Sequence, residues 1–179
     1  MSTVVPLTGE PLALDLVNTR TAAGDLLATP DDLHAWVKLQ AGRLPDGTCG
    51  DLEAVRAVRA HTAAALERVR HGERPDAADL AALNDAQRAA AAISEVTWDG
   101  SAVAVARRRA GAEALAAALA EAAAELLADP AVTKVRQCEA DGCVLLFLPA
   151  HPRRRWCSAA RCGNRARVAR HYRKHRGID

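Results

Sequence analysis

Four of the five cysteines stand at Cys138, Cys143, Cys157 and Cys162, two C-x4-C pairs separated by thirteen residues. No other feature restricts the fold as much. Each pair can hold one metal ion from a single turn, and the spacer allows one strand out and a loop back. Four thiolates so spaced suit a tetrahedral zinc site. A region of about 45 residues is too short for an independent apolar core without a staple, so metal binding would supply its folding free energy. One alternative is four buried or free thiols arranged by chance. Another is a site made of Cys157, Cys162, His171 and His175, whose H-x3-H spacing suits one helix face. The eight residues between Cys162 and His171 are few for that finger, and it would strand Cys138 and Cys143. Redox or catalytic chemistry is disfavoured: no C-x-x-C occurs, and a closed four-cysteine site has no open position for a water. Cys49 sits alone in a glycine-rich loop and reads as a bystander.

Charge divides at the same place. Residues 1–133 hold 12 basic and 19 acidic side chains, whereas residues 134–176 hold 12 basic and 2 acidic ones, Glu139 and Asp141. With Asp179 completing the total, the formal net charge of +2 is the remainder of an acidic body and a basic tail. Such asymmetry points to nucleic acid or another anionic surface.

The body reads as helices. Its 42 alanines favour them, since alanine loses no side-chain entropy in a helix. Residues 11–19 form a short apolar helix. Thr29-Pro30-Asp31-Asp32 starts another, with a capping hydroxyl, proline in the first turn and acids at the positive end of the dipole. It should run to about Gln40 with Leu33, Trp36 and Val37 inward. Residues 51–70 place Leu52, Val55, Val58, Thr62, Leu66 and Val69 at steps of three and four. Pro75-Asp76 opens a helix whose face carries Leu80, Leu83, Ala86, Ala90 and Ile93. Residues 95–98 and 103–105 around Asp99-Gly100 predict a hairpin with an Asp-Gly turn. A long helix is expected over 107–128, striped by Leu115, Leu119, Ala122 and Leu126. Residues 41–50 read as a loop. Asp15 and Asn18 lie three apart on one helical face inside an apolar segment. They are either interhelical hydrogen-bond groups or the wall of a ligand-sensing pocket. The expected fold class is mainly α. A helical bundle with a small β-hairpin spans 1–130, and a zinc-ribbon or treble-clef-like module of hairpin and helix spans 131–179.

In that module residues 133–137 and 144–148 predict paired strands, and a helix begins at Cys157-Ser158. The loop before the third cysteine carries Arg153, Arg154, Arg155 and Trp156. On the helix, Arg167, Arg170 and Lys174 form one ridge, and Arg161, Arg165 and Arg176 another beside Tyr172, with Cys162, Ala166 and Ala169 as an inward stripe between them. Arginine outnumbers lysine there, which suits bidentate contact with phosphate or guanine. Phe147, Trp156 and Tyr172, three of the five aromatics, are available as core or as stacking faces. A merely solvated basic face, or an acidic protein partner including the chain's own body, would use the same residues. DNA and RNA are not separated by sequence.

Cys162-Gly163-Asn164-Arg165 spells CGNR. With Arg154-Arg155-Trp156-Cys157-Ser158 before it and the Cys138/Cys143 pair, the C-terminal module resembles the CGNR zinc-finger family. Residues 12–19, LALDLVNT, are similar to the opening motif of the ABATE-type helical domain that accompanies that finger. The resemblance brackets the chain and implies a bacterial stress-induced transcription regulator with bound Zn2+, a DNA-binding module and a sensor-like body. Family members often carry an acidic residue after the Phe-Leu pair; Pro149 stands there instead and leaves the arginine loop without that partner. In the tetrad, Gly163 would allow close packing, Asn164 would bond backbone or sulfur, and Arg165 would brace the knuckle or reach a phosphate. The body would sense an effector or join a second copy of the chain. Enzymatic chemistry is the least supported reading, with no nucleophile–base arrangement or phosphate-cradling glycine loop. No run approaches the ~18 apolar residues of a membrane span. The N-terminus lacks the pattern of a signal peptide, so a cytoplasmic protein is expected.

Overall fold

The computed structural model describes residues 6–44 and 50–176, and of residues 170, 171 and 173–176 the backbone alone. Cys49 and the centre of the 41–50 loop fall outside these residues.

Helix α1, Leu12–Val17, begins at Pro11 and buries Ala13, Leu14, Asp15 and Leu16. A small ladder of β1, Arg20–Thr21, and β2, Gly24–Asp25, follows. Helix α2, Pro30–Leu39, starts at the expected cap: the Thr29 hydroxyl accepts from the Asp32 amide, and the Asp32 carboxylate accepts from the Thr29 amide at 2.9 Å. Leu33 and Trp36 are buried and Val37 half-buried. Helix α3, Leu52–Arg70, is capped by Asp51, whose carboxylate accepts from the Ala54 amide at 3.0 Å. Gly50 precedes it because a Cβ there would lie 2.6 Å from Leu115 Cδ2.

Helix α4, Ala77–Ala89, buries Leu83 and leaves Leu80 38% exposed. Ile93 does not continue its face. It opens β3, Ile93–Trp98, which pairs antiparallel with β4, Val103–Arg108. The connection is the expected turn at Asp99-Gly100: Trp98 pairs with Val103, Gly100 has φ +103, and the Asp99 carboxylate accepts from the Ser101 and Ala102 amides at 2.8 Å. The long helix expected from residue 107 starts later, as α5, Ala114–Ala128. Arg107 and Arg108 belong to β4 because Ser94 and Ile93 pair with them. Leu115, Leu119 and Leu126 are buried along α5 and Ala122 half-buried.

The apolar cluster of the body joins α1 to α5 through Leu14, Leu16, Trp36, Val55, Leu66, Leu83 and Leu119. Asp129 then caps a 3-10 turn, Pro130–Lys134. Proline and this cap displace the strand expected over 133–137. It shrinks to β5, Arg136–Gln137, paired with β6, Leu146–Phe147, and the ladder extends where the Cys138 amide donates to Leu145 O at 2.9 Å. Ser158 opens a wide turn, Ala159–Gly163, in which the Gly163 amide reaches Ser158 O five residues back. Helix α6, Asn164–Arg176, is the last element among the described residues.

Candidate metal centre and its basic surround

The hairpin of β5 and β6 and the wide turn before α6 converge on the cysteines. Cys138 leaves β5, and a tight knuckle returns the chain to Cys143, closed by the Cys143 amide donating to Ala140 O at 2.9 Å. Gly142 makes the reversal with φ +69, a left-handed conformation that a side chain disfavours. Cys157 precedes the capped turn and Cys162 lies inside it. Cys138, Cys157 and Cys162 are buried and Cys143 half-buried. They share a small cluster with Leu7, Ala140, Leu145 and Phe147.

All four sulfurs lie within 4.8 Å of one another. The Cys143–Cys157 separation is 3.9 Å and the Cys157–Cys162 separation 3.6 Å. Bonds of about 2.3 Å to a tetrahedral zinc ion put sulfurs about 3.8 Å apart, whereas a disulfide needs about 2.05 Å. The donor set therefore fits zinc and not a pair of disulfides. Without the ion, burial pushes the Cys162 thiol up to about 11 and the Cys157 thiol higher still, while hydrogen bonds from backbone amides hold Cys138 below its ordinary value despite its burial. Four thiolates this close need a cation to coexist.

The arginines around the centre divide by what they touch. Arg154 faces inward. Its Nη2 donates to Cys157 O at 2.6 Å and to the Glu10 carboxylate at 2.5 Å, and its Nε donates to Trp156 O at 3.1 Å. Its guanidinium also lies 4.5 Å from the centre of the Phe147 ring. The acid missing at Pro149 is thus supplied by the body, from a residue that is itself buried. Arg155 pairs with Glu139 at 2.5 Å and lies over Trp156, with both charged partners exposed. Arg153 is exposed. Arg161 is exposed and donates to Pro6 O at 3.3 Å. Arg165 braces the centre by donating to Asp141 O at 3.2 Å and to Cys162 Sγ at 3.6 Å. Asn164 bonds backbone rather than sulfur, through Ala160 O at 3.1 Å, and accepts from Arg167 at 2.9 Å. A Cβ on Gly163 would meet Ser158 O at an ordinary 3.6 Å, so a methyl group fits there. On α6, Ala166 is half-buried but Ala169 is exposed, so the stripe expected beneath the helix ends after one turn. The side chains of Arg170 and Lys174 lie outside the described residues.

Asp15 and Asn18 sit one turn apart and look in different directions. Asp15 accepts from Arg43 Nη1 at 2.5 Å and from the Gly9 amide at 2.9 Å. Burial pushes its carboxyl up, while Arg43 and the Gly9 and Glu10 amides pull it down, and the upward push prevails. Asn18 Nδ2 donates to Leu146 O at 2.8 Å, and the Leu146 amide donates to Asn18 Oδ1 at 2.8 Å. The side-chain amide takes the place of a third strand beside β6. Glu10 adds a second link, accepting from the Leu148 amide at 2.9 Å. The interface role of Glu10 and Leu146 was not legible: Glu10 reads as one more surface acid, and the bonds of Leu146 are made by its backbone. The only signal was Glu10's place beside the motif at residues 12–19.

A helical body thus holds a zinc-ribbon-like finger through buried polar contacts. The family described as "Putative stress-induced transcription regulator", ABATE, matches residues 10–130, and the CGNR zinc finger matches residues 134–175. The chain belongs to the ABATE family and carries a CGNR zinc finger, so its four-sulfur centre is a zinc site. No curated protein matches it. Both matched families are regulatory or zinc-binding rather than enzymatic. Among the described residues, no helix is long and apolar enough to cross a membrane.

Proposed function

We propose that this chain is a zinc-dependent, DNA-binding transcription regulator of a stress response, acting in the cytoplasm and without enzymatic activity. Residues 131–179 contact DNA, and the body, residues 1–130, senses an effector or pairs with a second copy. The observation that carries this reading is the exposure of Arg153, Arg155, Arg161, Arg165 and Arg167 on the loop and helix that flank the zinc centre, where residues 134–176 hold no acids but Glu139 and Asp141. Trp156, half-buried under Arg155, offers a stacking edge beside them. Arg154, committed to Glu10, is left out of this surface and acts as a clamp instead. Arg170 and Lys174 continue the Arg167 ridge by helical register.

The exposure of α6 favours DNA over RNA. Arg165, Arg167, Val168, Ala169 and Tyr172 are all exposed, so the helix stands away from the body. A free helix fits the wide major groove of B-DNA, whereas the major groove of A-form RNA is too narrow to admit one. Anisotropy titrations of the zinc-loaded protein with duplex DNA at stepped salt test the proposal. Five exposed arginines on phosphates predict a slope of about −4.5 in log K against log salt. Replacing Arg153 and Arg155 by Glu should remove most affinity with zinc retained. Salt-insensitive binding, or structured RNA outcompeting duplex DNA at matched salt, would sink the DNA reading.

A further inference from the structure

The seam between body and zinc finger is not closed along its whole length. Beside the Asn18–Leu146 contact it opens into a cleft of about 660 Å³. The body contributes α1, β1, β2 and α3 to its walls; the finger contributes Gln137, Val144 and Leu146. That volume lies in the range of small-molecule sites, about 300–1,000 Å³, and junctions between folded units are where such sites concentrate. Its floor is apolar: Val17 and Ala63 from the body meet Leu146 and the half-exposed Val144 of the finger.

The charges around this floor are nearly all committed. Arg59, 4% exposed, donates to both oxygens of Asp25 and to Thr19 Oγ1. Its guanidinium holds the Asp25 carboxyl below the ordinary range. Arg56 donates to Leu27 O, Ala28 O and Glu53. Glu67 is held by Arg70 through both carboxylate oxygens. Of the three cations lining the cleft one remains: the exposed Arg20 guanidinium on β1 has no hydrogen-bond or ion-pair partner among the described residues. A guanidinium over an apolar floor takes a carboxylate in a two-pronged pair and buries the rest of the ligand below. A phosphate dianion would bring a second charge against Asp25 and Glu67 with no cation to meet it.

We infer that this cleft binds a small amphipathic monocarboxylate, with Arg20 as the carboxylate-binding residue and Val17, Ala63, Val144 and Leu146 as the apolar seat. A ligand there touches both units, so it biases the contact between body and finger. That coupling to DNA affinity rests on the DNA-binding reading above; ligand binding does not.

Calorimetric titration of the full zinc-loaded chain tests the site, with octanoate, octanamide and inorganic phosphate as probes. Octanoate should bind saturably at one site per chain, octanamide at least tenfold more weakly, and phosphate not at all. Arg20→Gln, a surface change, should weaken octanoate at least tenfold and leave octanamide within twofold. Ala63→Glu should abolish binding of both. Absence of saturable octanoate binding, or octanoate binding that Arg20→Gln leaves unchanged, overturns the site. With duplex DNA added, octanoate should shift the affinity of the unmodified chain and not that of the Arg20→Gln chain. Octanoate bound at Arg20 with DNA affinity unchanged upholds the site and overturns the coupling. A chain that binds octanoate and no DNA refutes the DNA reading alone.

Discussion

The helical body and the zinc finger reach a defined structure by different means. The body joins five helices through a continuous apolar cluster, with leucines from α1, α3 and α5 fully buried. The finger has seven residues in its buried cluster, three of them metal ligands and one, Leu7, borrowed from the N-terminal segment. Hydrophobic burial scales with apolar area, so the body is stable by mass of contact while the finger depends on one coordination centre. Failure should accordingly be graded in the body and abrupt in the finger.

The largest effect should come from metal removal. Chelation, or Cys157→Ser, should unfold the finger and leave the body's helices intact, read as retained far-ultraviolet helical dichroism with exchange-protected amides lost beyond residue 134. Loss of the body's helices as well would end the contrast between the two units. Affinity for zinc should also depend on pH. The Cys157 and Cys162 thiols are protonated near neutrality in the metal-free chain and must lose their protons to bind. Zinc is therefore favoured as pH rises and released as it falls. Each proton released per ion contributes about a tenfold change per pH unit, so these two thiols alone predict at least about a hundredfold, measurable by competition with a chelator dye at two pH values. A pH-independent affinity would contradict the protonated thiols.

Smaller effects sharpen the comparison. Leu119→Ala in the body should cost about 2–5 kcal/mol in denaturant melts, with zinc stoichiometry unchanged. Asn18→Ala leaves the backbone N–H and C=O of Leu146 without their partners, at a cost of about 2 kcal/mol. Its distinguishing sign is loosening of the finger, seen as faster exchange of the Leu146 amide, in a chain that still binds zinc. Gly142→Ala should be the mildest, about 1 kcal/mol from the left-handed backbone at the knuckle, read as a small fall in zinc affinity.

What sequence showed and what it hid follow from the range of the interactions. The cysteine spacing is local chemistry, and so is the Thr29-Pro30-Asp32 helix start; both fold as read. Arg107 and Arg108 look helical because alanine and arginine surround them, but strand pairing with Ile93 and Ser94 overrides that propensity. Arg153, Arg154 and Arg155 are indistinguishable as a run of three. Only Arg154 turns inward, because its partner Glu10 lies 144 positions away. Asp15 and Asn18 were recognised as polar groups needing partners; that one partner is Arg43 and the other the backbone of Leu146 depends on tertiary placement alone.

The amide of Asn18 has a consequence for solubility. Strand β6 belongs to a two-stranded sheet, and its outer edge at Leu146 presents a donor and an acceptor that an extended segment of another molecule would match. Asn18 occupies both. One side chain of the body thus serves as an edge cover, and detachment of the finger would expose a strand ready for self-association.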